Sequence, residues 1–132
     1  MSLGVEGFDH VTVIITDMAK ARAFYGGMLG LTEIGRPRSF DFKAVWYQLG
    51  DRQLHLLVKP EADTIGPRHF ALRVADVAAA RARCAELGLP MAETTKIPGA
   101  DRFFIRDPDG NRIEIIRWES AYDPATDGVF DA

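Results

Sequence analysis

The chain has 132 residues, 47% of them hydrophobic, enough for one domain with its own core and too few for several. Sixteen Lys and Arg against nineteen Asp and Glu leave a net charge of −3 with no block of like charge, so nothing marks a nucleic-acid or membrane-surface protein. The single cysteine, Cys84, excludes an internal disulfide, and no basic-then-apolar leader or run of roughly 18 apolar residues is seen; a soluble cytoplasmic protein is expected.

In chain order, residues 8–16 are rich in β-branched side chains and read as a strand, and Asp17 is placed to cap a helix running to about residue 27. Three short strands follow, near 32–35, 42–49 and 53–58, the last two joined by a tight turn at Gly50-Asp51. Residues 59–67, with Pro60, Gly66 and Pro67, form a linker. A strand at 68–74, a cap at Asp76, a helix over 77–87 and a stop at Gly88 come next. Cys84 sits in this alanine-rich helix and reads as a buried, inert thiol. Strands near 91–94, 102–106 and 112–117 complete the pattern, with a Pro- and Gly-containing loop over 94–101 and a type I turn at Asp107-Pro108-Asp109-Gly110. The expected organisation is a single domain of 1–132: module 1 at about 7–58, module 2 at about 68–118, and a polar tail at 119–132. Each module reads strand, helix, strand, strand, strand.

The modules are copies. His55 follows His10 by 45 positions and Glu114 follows His69 by the same 45, and a shift of 59 also lays Asp17 on Asp76 and Ala21-Arg22-Ala23 on Ala80-Arg81-Ala82. It lays Gly50-Asp51-Arg52-Gln53-Leu54-His55-Leu56-Leu57 on Asp109-Gly110-Asn111-Arg112-Ile113-Glu114-Ile115-Ile116. Side chains two apart on a strand share a face. Val11, Val13 and Ile15, with Leu54, Leu56 and Val58, make the helix-facing rows of module 1, leaving His10, Thr12, Gln53 and His55 opposite. In module 2 Phe70, Leu72, Val74, Ile113 and Ile115 face the helix; His69, Arg73, Arg112 and Glu114 face away. Singly, a histidine at a strand start is usually a surface residue and a glutamate in Arg-Ile-Glu-Ile-Ile the exposed half of an amphipathic strand. All three histidines of the chain and one glutamate at repeat-related positions on matching faces point instead to one metal site.

The motifs Phe8-Asp9-His10-Val11-Thr12-Val13, Gln53-Leu54-His55-Leu56-Leu57, Arg68-His69-Phe70-Ala71-Leu72-Arg73-Val74-Ala75-Asp76 and the run from Phe103 to Glu114 resemble the vicinal oxygen chelate superfamily. That superfamily includes glyoxalase I, fosfomycin-resistance enzymes, methylmalonyl-CoA epimerase, ring-cleaving dioxygenases and bleomycin-binding proteins, and the resemblance spans about 8–118. It implies an α+β fold in which two βαβββ modules form a cupped, mostly antiparallel eight-stranded sheet with helices on the outside. It also implies one divalent metal ion held by His10, His55, His69 and Glu114, and a homodimer. Glyoxalase I carries glutamate or glutamine where this chain has His55; relatives with two histidines and one glutamate use the counterparts of His10, His69 and Glu114.

Imidazoles and a carboxylate suit Zn, Ni, Fe(II), Mn or Co alike. Four protein ligands on an octahedral ion leave two positions, enough to chelate neighbouring oxygens of a small carbonyl substrate and stabilise an enediolate in a lyase or isomerase reaction, with Glu114 also moving the proton. Three ligands, His10, His69 and Glu114, leave room for a ring-cleaving Fe(II) dioxygenase or a thiol transferase. A non-catalytic small-molecule binding or resistance protein is the remaining reading. Arg73, Arg112 and Trp46 are candidate substrate contacts, and Phe40, Phe42, Tyr47, Phe103 and Phe104 candidate pocket walls. Gly26-Gly27 with Gly30 ends a helix and so makes no nucleotide-binding fingerprint.

Overall fold

The computed structural model describes residues 1–131, which fall into two compact units: Met1–Gly66 with Asp107–Asn111, and Pro67–Arg106 with the chain from Arg112 onward. The first unit holds a four-stranded sheet of β1 (His10–Ile15), β2 (Thr32–Ile34), β3 (Ala44–Leu49) and β4 (Arg52–Val58), in the order β1-β4-β3-β2. The second holds β5 (His69–Arg73), β6 (Ala100–Arg106) and β7 (Arg112–Trp118), in the order β5-β7-β6. In both, the first strand runs parallel to the last and the remaining pairs are antiparallel. Among the described residues no helix is long and apolar enough to cross a membrane.

The register shows the duplication directly. His55 sits between Thr12 and Trp46 in neighbouring strands, and Glu114 sits between Ala71 and Phe104 in the corresponding ones. The alternation also holds: Leu54 and Leu56 bury one face of β4, and Ile113 and Ile115 one face of β7, each side chain contributing roughly 1.5–3 kcal/mol. His55 and Glu114, the residues between them, point the other way and are also buried, at 7% exposure each.

Among the described residues, four plus three strands stand where eight were expected. The stretch near 91–94 is reduced to a single bridge between Ala92 and Phe104. Pro90 brings no N–H to a ladder, and beyond Ala92 two arginines capture the chain: Arg81 Nη2 lies 2.7 Å from Glu93 Oε1, and Arg102 Nη2 donates to the Thr95 carbonyl at 2.6 Å. A carbonyl satisfied by a guanidinium has no need of a neighbouring strand.

Asp17 caps α1 (Met18–Arg22) by accepting from Lys20 N–H at 3.0 Å, as its position predicts. From Ala23 to Met28 the helix widens to π geometry, closed by Leu29 N–H on the Phe24 carbonyl five residues back. Gly26-Gly27 resist regular helix, and the wider turn buries both Phe24 and Tyr25. The second helix, α2 (Val77–Glu86), is capped by Asp76. It ends in a Schellman motif: Leu89 N–H reaches the Cys84 carbonyl and Gly88 N–H that of Ala85, with Gly88 at φ +66°. A short helix, α3 (Pro124–Asp127), lies in the tail.

The β6–β7 turn closes as a type I turn, Gly110 N–H on the Asp107 carbonyl at 3.0 Å. Asp107 itself is buried. Its carboxylate accepts from Tyr25 Oη at 2.7 Å, from the N–H groups of Asp109 and Asn111, and from Asn111 Nδ2. Asn111 Nδ2 also donates to the Ile14 carbonyl, and Thr16 donates through N and Oγ1 to Asp109.

Candidate functional site

In the first unit, His10 and His55 project from adjacent parallel strands and stack at 4.0 Å between ring centroids; Trp46, across on β3, stacks on His55 at 3.5 Å and 7°. Each imidazole is oriented by an acceptor. His10 Nδ1 donates to Asp9 Oδ1 at 2.7 Å, leaving Nε2 as the lone-pair atom; His55 Nε2 donates to Gln53 Oε1 at 2.8 Å, leaving Nδ1. Burial, reinforced by the neighbouring His10, depresses the His55 pKa below its ordinary 6.5, and the hydrogen bond from His10 lowers that of Asp9. A neutral imidazole is the form that ligates metal.

A cavity of about 360 Å³ opens beside this pair, walled by Phe40, Phe42, Trp46 and Leu57. Of the aromatic residues expected in a pocket, Phe40, Phe42 and Trp46 are there; Tyr47 and Phe103 are fully buried in hydrophobic packing. The Tyr47 hydroxyl is buried without a hydrogen-bond partner, and burial raises its pKa.

In the second unit, His69 Nδ1 donates to the Pro67 carbonyl at 3.0 Å, which turns the Nε2 lone pair toward Glu114 Oε1, 3.8 Å away. Phe104 supports the imidazole edge-on at 4.9 Å. Arg112 lies over the other expected wall residue's ring, its guanidinium carbon 3.6 Å from the Phe104 centroid, while Arg73 is exposed at the end of β5. Arg102 went unrecognised in the sequence: its Nη1 donates to Glu114 Oε1 at 2.8 Å, Nη2 holds the loop at Thr95, and its Nε is buried without a partner. Strand alternation supplied the signal, since Arg102 and Phe104 share a face and Phe104 pairs with Glu114. The loop over 94–99 lines a cavity of about 910 Å³ with Arg81 and Arg102.

The four expected ligands are thus assembled as two pairs, His10 with His55 and His69 with Glu114. Among the described residues no group of three His, Cys, Asp or Glu side chains is placed to hold an ion. The second pair passes a fit test: bonds of about 2.1 Å let one ion reach two atoms up to roughly 4 Å apart, and the facing Nε2 and Oε1 are 3.8 Å apart. In the first pair, hydrogen bonds to Asp9 and Gln53 orient each ring.

These features define an α+β fold with one mixed sheet in each of its two units. The profile of the Glyoxalase/Bleomycin resistance protein/Dioxygenase superfamily matches residues 7–115, and the chain belongs to that family. It is 27% identical over 129 residues to glyoxylase I 4 of Arabidopsis thaliana, covering 89% of this chain and 74% of that one. A glyoxalase family protein from Bacillus anthracis superposes with a TM-score of 0.81 at 28% identity, covering 89% of this chain and 99% of that one. A variant of the fosfomycin resistance protein FosX from Listeria monocytogenes, solved with Mn(II) and 1S,2S-dihydroxypropylphosphonic acid, has a TM-score of 0.73 over 84% of this chain and 91% of its own; at 19% identity it shares the fold.

Proposed function

We propose that the protein is a divalent-metal-dependent enzyme of the glyoxalase-like type, acting on a small oxygenated carbonyl substrate in a lyase or isomerase step, with His10, His55, His69 and Glu114 as metal ligands. A divalent ion, when bound, supplies Lewis acidity to carbonyl oxygens, which makes a neighbouring C–H proton acidic. The observation that carries the reading is the His69–Glu114 pair: a backbone carbonyl fixes one imidazole nitrogen so that the other faces a buried carboxylate. Glu114 is the carboxylate of the set and the residue suited to take up a substrate proton. Arg102, on the same carboxylate oxygen, fixes its orientation. His55, neutral and stacked between His10 and Trp46, gives the first unit a rigid edge for substrate.

Elemental analysis of protein purified without chelator tests this. One metal per chain in the wild type, lost in His69→Ala and Glu114→Gln, is the expected result, and absence of metal from the wild type would overturn it. Turnover of the hemithioacetal of methylglyoxal then tests the glyoxalase step. The pinning of His55 by Gln53 and Trp46 favours a second reading, a three-ligand site of His10, His69 and Glu114. Metal retained in His55→Ala together with oxygen uptake on catechols would select a ring-cleaving dioxygenase.

A further inference from the structure

We infer that the 360 Å³ cavity of the first unit grips a neutral, planar aromatic group bearing a hydroxyl or carbonyl oxygen. The inference deepens the proposed function by naming the substrate class, and rests on it only in assigning the ligand's oxygen to chemistry.

The walls carry the argument. Rings form a continuous series: Phe42 stacks on Phe40 at 4.4 Å and 23°, Phe40 meets Trp46 edge-on at 5.9 Å, Trp46 stacks on His55, and His55 on His10. Flat walls favour a flat guest, because offset and edge-on ring contacts add about 0.5–1.5 kcal/mol each beyond the area they bury, and an aliphatic group of equal size forgoes that term. Among the described residues no Lys, Arg, Asp or Glu lines the cavity, so a charged ligand would lose hydration without compensation. Arg36 approaches the rim, but its guanidinium is engaged by the carbonyls of Pro37 and Phe40 at 2.8 and 3.2 Å, which braces the loop carrying the two phenylalanines.

Polar groups are few and gathered at one side. His10 and His55, with Thr12 beside them, are the lining groups able to hydrogen-bond an oxygen substituent, while Phe40, Phe42 and Leu57 offer none from their side chains. Phe42 is 43% exposed, an uncovered ring at the mouth where a ligand would bury it. The chemistry differs from that suited to a phosphonate such as the one in the FosX complex.

The test uses the full chain, stripped of metal with chelator, and follows amide and indole N–H signals by NMR during titration with 4-hydroxyacetophenone, cyclohexyl methyl ketone and propylphosphonate. Saturable shifts of the Trp46 indole signal with the aryl ketone are expected, with binding roughly tenfold weaker for the cyclohexyl ketone and none for the phosphonate. Trp46→Leu, and Phe42→Ala at the exposed rim where folding is not at stake, should each weaken the aryl ketone while leaving the rest of the spectrum in place. Equal binding of the cyclohexyl ketone would mean a merely apolar cavity and overturn the inference. Competition by propylphosphonate, no saturable shift, or ligand-independent shifts that track protein concentration and reveal a second copy in the cavity would overturn it too. Aryl binding by the stripped protein, when protein purified without chelator carries no metal, removes the proposed enzymatic reading and leaves the ligand class standing; metal in the unstripped protein without aryl binding by the stripped one does the reverse.

Discussion

Replacing Arg102 with Gln probes the candidate site from its most unusual contact. The ion pair it makes with Glu114 is 2.8 Å long, with side-chain exposures of 16% and 9%. Removing one partner of a buried pair costs about 3–5 kcal/mol, because the other charge is left without compensation. A glutamine amide can still donate one hydrogen bond to the carboxylate, so about 2–3 kcal/mol is expected. For a chain of this size each kcal/mol moves the midpoint by about 3–5 °C, giving a fall of about 6–15 °C in thermal unfolding followed by circular dichroism with chelator present. The variant should then gain more from saturating Mn(II), Ni(II) or Zn(II) than the wild type does, because a cation no longer has to displace a guanidinium from Glu114. A variant as stable as the wild type in chelator would refute the structural role of the pair. Equal metal-induced gains in both proteins would refute competition at Glu114.

Two further perturbations follow from contacts away from that pair. Asp107→Ala strips a buried carboxylate from the Tyr25 hydroxyl and the turn at Asn111, and should cost about 3–5 kcal/mol in urea unfolding; a loss below about 1 kcal/mol would show that water replaces it without penalty. The depressed pKa of His55 means that its charged form is disfavoured in the fold, so the stability it contributes is complete above pH 6.5 and is lost as pH falls through the lower folded value. His55→Gln should flatten the acid limb of a stability profile recorded in chelator, and an unchanged limb would assign the acid sensitivity to other groups.

Much of this was legible because duplication and strand alternation are properties of sequence spacing. A shift of 59 and a period of two place His55 and Glu114 at matching register, on the face opposite the buried leucines and isoleucines. The 45-residue spacing already groups the four candidate ligands as His10 with His55 and His69 with Glu114; alternation specifies a face but not which atoms meet, so the guanidinium of Arg102 on Glu114 was out of reach. The missing strand depended on long side chains: Arg81 and Arg102 satisfy the chain near Glu93 and Thr95, a choice that local β propensity near 91–94 does not encode. The π-helical turn likewise reflects packing of Phe24 and Tyr25 working with the weak helix preference of Gly26-Gly27.

The repeated halves of the gene are not halves of the fold. The hairpin tip of the first module closes on itself, Gln48 Nε2 bonding the carbonyls of Gly50 and Arg52, whereas its counterpart at residues 107–111 is spent supplying partners to Ile14, Thr16 and Tyr25. A polypeptide severed at Gly66 would therefore leave a buried phenol and a strand-end carbonyl without mates, and recombining the two fragments in trans should restore order that neither attains by itself.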